Sequence, residues 1–79
     1  MRLPRDLSGS DLAARLSVLG YVITRQTGSH MRVTTQSNGE HHVTIPAHDP
    51  IKIGTLNSIL RAVERHHGLR REELLAMLQ

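Results

Sequence analysis

The stretch YVITRQTGSHMRVTTQSNGEHHVTI, residues 21–45, holds three short segments rich in β-formers: Tyr21–Gln26, His30–Gln36 and His41–Ile45. Thr27-Gly28-Ser29 separates the first two, and Ser37-Asn38-Gly39-Glu40 separates the last two. Asn-Gly is a strong hairpin signal, because both residues tolerate the positive φ of a tight turn. The three segments are therefore expected to form an antiparallel meander. The tetrapeptide Gly28-Ser29-His30-Met31 also matches the remnant that tag removal leaves before a start methionine. Hairpin spacing on both sides argues that it is native chain, as does a capped helix upstream that would otherwise lack a core partner.

Upstream, Ser8 with Asp11 fits a helix-capping box, and Leu7 with Leu12 fits the hydrophobic staple around it. Leu12, Leu16 and Leu19 line one face of that helix, and Gly20 is placed to end it in a left-handed conformation. Downstream, Pro46 closes the third strand and Ala47–Ile53 reads as a loop. Thr55 is expected to cap a second helix that carries Leu56, Ile59, Leu60 and Val63 toward the core and stops at Gly68. A final helical turn or two, Arg71–Leu78, presents Leu74, Leu75 and Leu78. Its Glu72 and Glu73 lie in the first turn, where the helix dipole favours them. The expected order is α-β-β-β-α plus a short C-terminal helix, an α+β single domain over residues 1–79. Helices would cover one face of the three-stranded sheet and leave the other open.

A chain of 79 residues has room for a small core only. At this length about 60–65% of the unfolded surface is buried. There is no cysteine, so neither a disulfide framework nor a thiolate metal site is available. The N-terminus lacks the apolar run of a signal peptide, and no stretch approaches the ~18 apolar residues of a membrane span. A cytoplasmic setting without membrane association is expected. Formal net charge is +3 and nine of the ten basic residues are Arg, whose guanidinium forks match phosphate oxygens. Tyr21 is the one aromatic residue, which argues against recognition of nucleic acid by base stacking.

Six histidines invite a test for a metal site: His30, His41, His42, His48, His66 and His67. Adjacent strand residues point to opposite faces, so His41 and His42 cannot share an ion. His66 and His67 fall at a helix end, where contact with the last carbonyls is the simpler expectation. No metal and no cofactor is expected. Alternation sends Met31, Val33, Val43 and Ile45 to the core with His41. His30, Arg32, Thr34, His42 and Thr44 then collect on the open face. An imidazole beside a guanidinium suits attack on a phosphodiester: His exchanges a proton near neutral pH, and Arg holds phosphate. The competing reading is a polar solvent face with scattered histidines. Free amides at the start of the second helix, near Gly54 and Thr55 and beside Lys52, make a second anion-binding candidate, with His48 in the loop before them.

The pieces LAARLSVLGY, TGSH, VTIPAH, IGTLNSIL and GLRREELLAML, in this order and over almost the whole chain, resemble the HicA toxins. These are the small mRNA interferases of HicA–HicB toxin–antitoxin pairs. The resemblance implies a fold like that of double-stranded-RNA-binding domains and metal-independent endoribonuclease activity on mRNA. It also implies a HicB-type antitoxin that covers the site. The family's catalytic histidine falls on His30 and its turn glycine on Gly28. Two departures stand out. Met31-Arg32-Val33 replaces residues that are often aromatic, and Arg70 stands where the family frequently has a capping Ser, a change worth about 1 kcal/mol.

On this reading His30 is the general base or acid for attack of the ribose 2′-OH, which makes the activity specific to RNA and implies no direct DNA binding by this chain. Gly28, Ser29, Arg32, Lys52, Gly54 and Thr55 would hold the RNA backbone, and His42 or His48 would serve as a second proton carrier. The alternative from another class is a non-catalytic RNA-binding module of the same fold.

Overall fold

The computed structural model describes residues 6–79. Its order is helix α1 (Gly9–Leu16), a 3-10 turn (Ser17–Leu19), strands β1 (Val22–Thr27), β2 (His30–Thr35) and β3 (His41–Pro46), helix α2 (Ile53–His67) and helix α3 (Arg71–Met77). The strands form one antiparallel sheet in the order β1-β2-β3, with both helical layers on one face. The α-β-β-β-α-α arrangement is the expected α+β fold and is consistent with that of double-stranded-RNA-binding domains.

Local chemistry sets each element. The Ser8 hydroxyl accepts from the Asp11 amide at 3.0 Å and starts α1. Leu7 and Leu12, the staple pair, are both buried in the core. The helix tightens to 3-10 over Ser17–Leu19 and ends at Gly20, whose φ of 84° is the left-handed stop expected there. Asn38 and Gly39 take φ of 59° and 94°, as a tight turn between β2 and β3 requires.

The core joins Met31, Val33, Val43 and Ile45 from the sheet to Leu12 and Leu16 of α1 and to Ile59, Leu60 and Val63 of α2. Leu74 and Leu78, at the C-terminal end of the chain, complete it and are almost fully buried. The Arg15 guanidinium donates to the Leu78 carbonyl at 2.7 Å, tying α1 to the end of α3. Arg71 bridges to α2 through Glu64 and Asn57.

Boundaries differ from expectation most at β1 and at the start of α2. Strand β1 runs one residue later, because Tyr21 turns into the core instead of joining the sheet. Thr55 does not cap α2, and Ile53 is not loop. The helix begins at Ile53 with Lys52 in the cap position, because Ile51 is pinned in the core by a bond from its amide to the Leu7 carbonyl at 2.9 Å. The chain turns helical directly after that anchor. Arg70 does precede α3 without a side-chain acceptor to offer, and the Glu73 carboxylate accepts from the Arg70 amide at 2.9 Å. That is half of a capping box.

Candidate nucleic-acid interface

Cross-strand register settles which residues share the open face. In β2 and β3, His30 lies opposite Pro46, Arg32 opposite Thr44, and Thr34 opposite His42. In β1 and β2, Thr27 lies opposite His30 and Arg25 opposite Arg32. Directly opposed residues point to the same side, so this face carries His30, Arg32, Thr34, His42 and Thr44 as expected. Thr27 and Arg25 join them. Sequence alternation alone missed those two, because a bulge between Ile23 and Arg25 shifts the phase of β1.

His30 opens β2 at a corner of the sheet. The two-residue turn Gly28-Ser29 precedes it, with Gly28 at φ 54°. The ring is exposed, and among the described residues it has no hydrogen-bond partner. The Ala47 amide donates to the Ser29 carbonyl at 2.6 Å, and this bond fastens the turn to the end of β3. The Gly9 amide donates to the His48 carbonyl at 2.9 Å. A Cβ on Gly9 would drive into the Pro46 carbonyl, so α1 can start this close to the strand end only with glycine there. The corner around His30 is thus braced by backbone from three elements.

His48 is exposed, two residues beyond the partner of His30. Helix α2 runs back beneath the sheet. At its far end His66 reaches the turn between β2 and β3, so its start lies at the His30 end. Lys52, Gly54 and Thr55 are therefore at the same end as His30, on the helical side. The α2 start has no side-chain cap, and the first helical bond is from the Leu56 amide to the Lys52 carbonyl. The amides of the first turn point away from the helix toward that end.

His42 is not brought beside His30. It faces Thr34, four residues along β2, a distance of about 13 Å at strand rise. Its Nδ1 lies 2.7 Å from the Thr34 hydroxyl and its Nε2 lies 3.6 Å from Glu40. None of the ion pairs among the described residues involves Arg25, Arg32 or Lys52. These cations keep their charge available to a ligand.

The remaining histidines gather at the opposite end. The Tyr21 hydroxyl sits 2.7 Å from His41 Nδ1 and 3.1 Å from His67 Nε2. His66 donates through Nε2 to the carbonyls of Ser37 and Gly39 at 2.9 and 3.0 Å. His66 and His67 thus reach across to the sheet and to Tyr21 and leave the last carbonyls of their own helix, contrary to expectation. Burial pushes the Tyr21 phenol up to about 12. It also lowers His41 and His67, with repulsion from neighbouring imidazoles adding to the effect. Among the described residues, no group of three or more His, Asp or Glu side chains comes together to hold a metal ion. No helix among them is long and apolar enough to cross a membrane.

No curated protein matches the chain, and no solved structure does. The model of one protein family, the HicA toxin of bacterial toxin–antitoxin systems, matches residues 9–64. That span includes α1, the whole sheet with the His30 corner, and most of α2. It makes a HicB-type antitoxin the implied partner. The chain belongs to the HicA toxin family.

Proposed function

We propose that this toxin is a metal-independent endoribonuclease that cleaves mRNA with His30 as its proton-transfer group. The observation that carries this reading is the placement of His30. Its imidazole stands exposed at a braced sheet corner, without a partner among the described residues, on the face that also carries Arg32. A histidine held by a rigid backbone and left free at its ring can serve a substrate. The histidines at the far end are committed to each other and to Tyr21.

In the reaction, a neutral His30 accepts the proton of a ribose 2′-OH as its oxygen attacks the adjacent phosphorus. The bond from phosphorus to O2′ forms and the bond to O5′ breaks. The strand divides into a 2′,3′-cyclic phosphate and a 5′-hydroxyl end. The departing oxygen takes its proton from water or from His48, two residues beyond Pro46, the strand partner of His30. Gly28 and Ser29 shape the backbone beside the scissile phosphate. Arg32, with Lys52 and the amides near Gly54 and Thr55 at the same end, offsets phosphate charge, which is greatest in the transition state. DNA lacks the nucleophile and is not cleaved. The HicB-type antitoxin would silence the toxin by covering this corner, and an mRNA substrate places the action in the cytoplasm.

The test is His30→Ala, assayed on RNA in EDTA beside the parent protein. The parent should cleave, and the variant should keep its far-ultraviolet spectrum and melting temperature but lose cleavage and growth arrest. A single 2′-deoxy nucleotide at the cleaved position should block the parent. Cleavage by folded His30→Ala, or cleavage that EDTA stops, would sink the assignment.

A further inference from the structure

The β1 bulge is the least expected feature of the open face. Counting from Val22, which faces Thr34, strict alternation would send Arg25 and Thr27 to the side covered by helices. The extra residue reverses the phase and brings Arg25 opposite Arg32, with Thr27 opposite His30. Bulges re-aim side chains in this way at the edges of sheets.

The bulge is pinned. The Thr24 hydroxyl lies 3.3 Å from the Arg32 carbonyl and 2.8 Å from the Thr34 hydroxyl, and His42 Nδ1 lies 2.7 Å from Thr34. One donor order satisfies all three contacts: His42 Nδ1–H donates to Thr34, Thr34 to Thr24, and Thr24 to the Arg32 carbonyl. Thr34, the middle link, is only 6% exposed, and Thr24 and His42 flank it at the surface of the open face. His42 thereby holds the backbone that presents Arg25 and Arg32.

The result is two arginines directly opposed across a strand pair. Like charges in that position destabilise a sheet, and no ion pair among the described residues offsets either one. Two guanidinium forks side by side fit one anion with several oxygens, and a phosphodiester is such an anion. The pair stands two residues along β2 from His30, about 7 Å.

We propose that Arg25 and Arg32 together bind the backbone phosphate next to the one His30 attacks, so that RNA lies across β1 and β2 on the open face. The proposal rests on the ribonuclease reading for the identity of its ligand. Strand alternation gives Arg32 a place on the open face as a phosphate contact but gives Arg25 no role.

The experiment measures binding of a short single-stranded RNA with 2′-O-methyl groups, which cannot be cleaved by this route, to His30→Ala protein. Arg25→Gln and Arg25→Lys are added in that background. Arg25 is exposed on an edge strand, so Arg25→Lys should melt like the parent, and Arg25→Gln, relieved of the repulsion from Arg32, should melt no lower. Arg25→Gln should bind roughly tenfold more weakly. Its slope of log affinity against log salt should fall by about 0.7, the loss of one contact to a single strand. Arg25→Lys should keep the slope and lose part of the affinity. Unchanged affinity and slope in Arg25→Gln would overturn the site, even if the variant bound an acidic antitoxin surface more weakly. Failure of the ribonuclease reading has a different signature: the parent would not cleave RNA, while the loss of binding in Arg25→Gln would persist.

Discussion

His41 stacks on His66 with ring centroids 4.2 Å apart and planes 7° from parallel. Both rings belong to the group around Tyr21, which joins the end of α2 to the starts of β1 and β3. His41 and His67 are lowered from the ordinary value of 6.5, so the folded protein favours their neutral forms. Below pH 6.5 the unfolded chain binds more protons than the folded one, and stability falls as pH falls. For Tyr21 the folded value of about 12 exceeds the unfolded 10.0, so stability falls again as pH rises above 10. Melting temperatures across pH 4–11 should show a plateau near neutrality with a loss on both sides. His67→Asn should flatten the acid limb, and an acid limb of the same depth in that variant would refute the account.

Gly9→Ala should destabilise the protein, although alanine is the better helix former. The added methyl meets the Pro46 carbonyl, which is backbone and cannot swing aside. Overpacking of this kind costs about 1–3 kcal/mol, against a gain in helix propensity of up to about 1 kcal/mol. Urea denaturation should show a lower midpoint with an unchanged slope. Cleavage should fall as well, since the same contact braces the corner that holds His30.

His42→Ala separates two roles. As a proton carrier, His42 would be needed for turnover. As the first donor in the chain to Thr34, Thr24 and Arg32, it is needed to hold the bulge. The variant should lose about 1 kcal/mol of stability and bind RNA more weakly. Its cleavage rate at saturating RNA should stay within a few-fold of the parent. A turnover loss as large as that of His30→Ala would return His42 to the proton-transfer step.

Leu74→Ala should cost about 2–5 kcal/mol, the range for a fully buried leucine. Helix α3 lies outside residues 9–64, yet Leu74 and Leu78 close the core and the Leu78 carbonyl receives Arg15. Removing residues 71–79 should abolish cooperative unfolding near room temperature, measured by thermal melts. A truncated chain that melts like the full one would show α3 to be dispensable.

Much of this molecule could be read from local rules. Ser8 acts through a hydroxyl bond three residues away, and Gly20, Asn38-Gly39 and Gly68 act through their own backbone geometry, so the order of elements and the positions of the turns follow from neighbours in sequence. Alternation in β2 placed His30 and Arg32 on one face because that strand is regular. Thr55 misled because helix starts respond to tertiary anchors. The burial of Ile51 beside Leu7 moved the cap of α2 from Thr55 to Lys52, three residues upstream, and no local pattern announces that.

The site divides along the same line. A free imidazole after Gly28-Ser29 is a matter of sequence, since a two-residue turn and a regular strand leave few places for His30 to point. Arg25 is a matter of the fold. Its partner, its face and its nearness to His30 depend on a bulge fixed by Thr34 and His42, residues that follow it by 9 and 17 positions. The histidines divide likewise: His66 and His67 turned from their own helix end to Tyr21, Ser37 and Gly39, partners between 27 and 46 positions away. Local sequence decided the elements and the histidine that stands free. Only packing decided that Arg25 joins Arg32 beside it, because side chains from distant segments meet only once the sheet and helices have closed on one core.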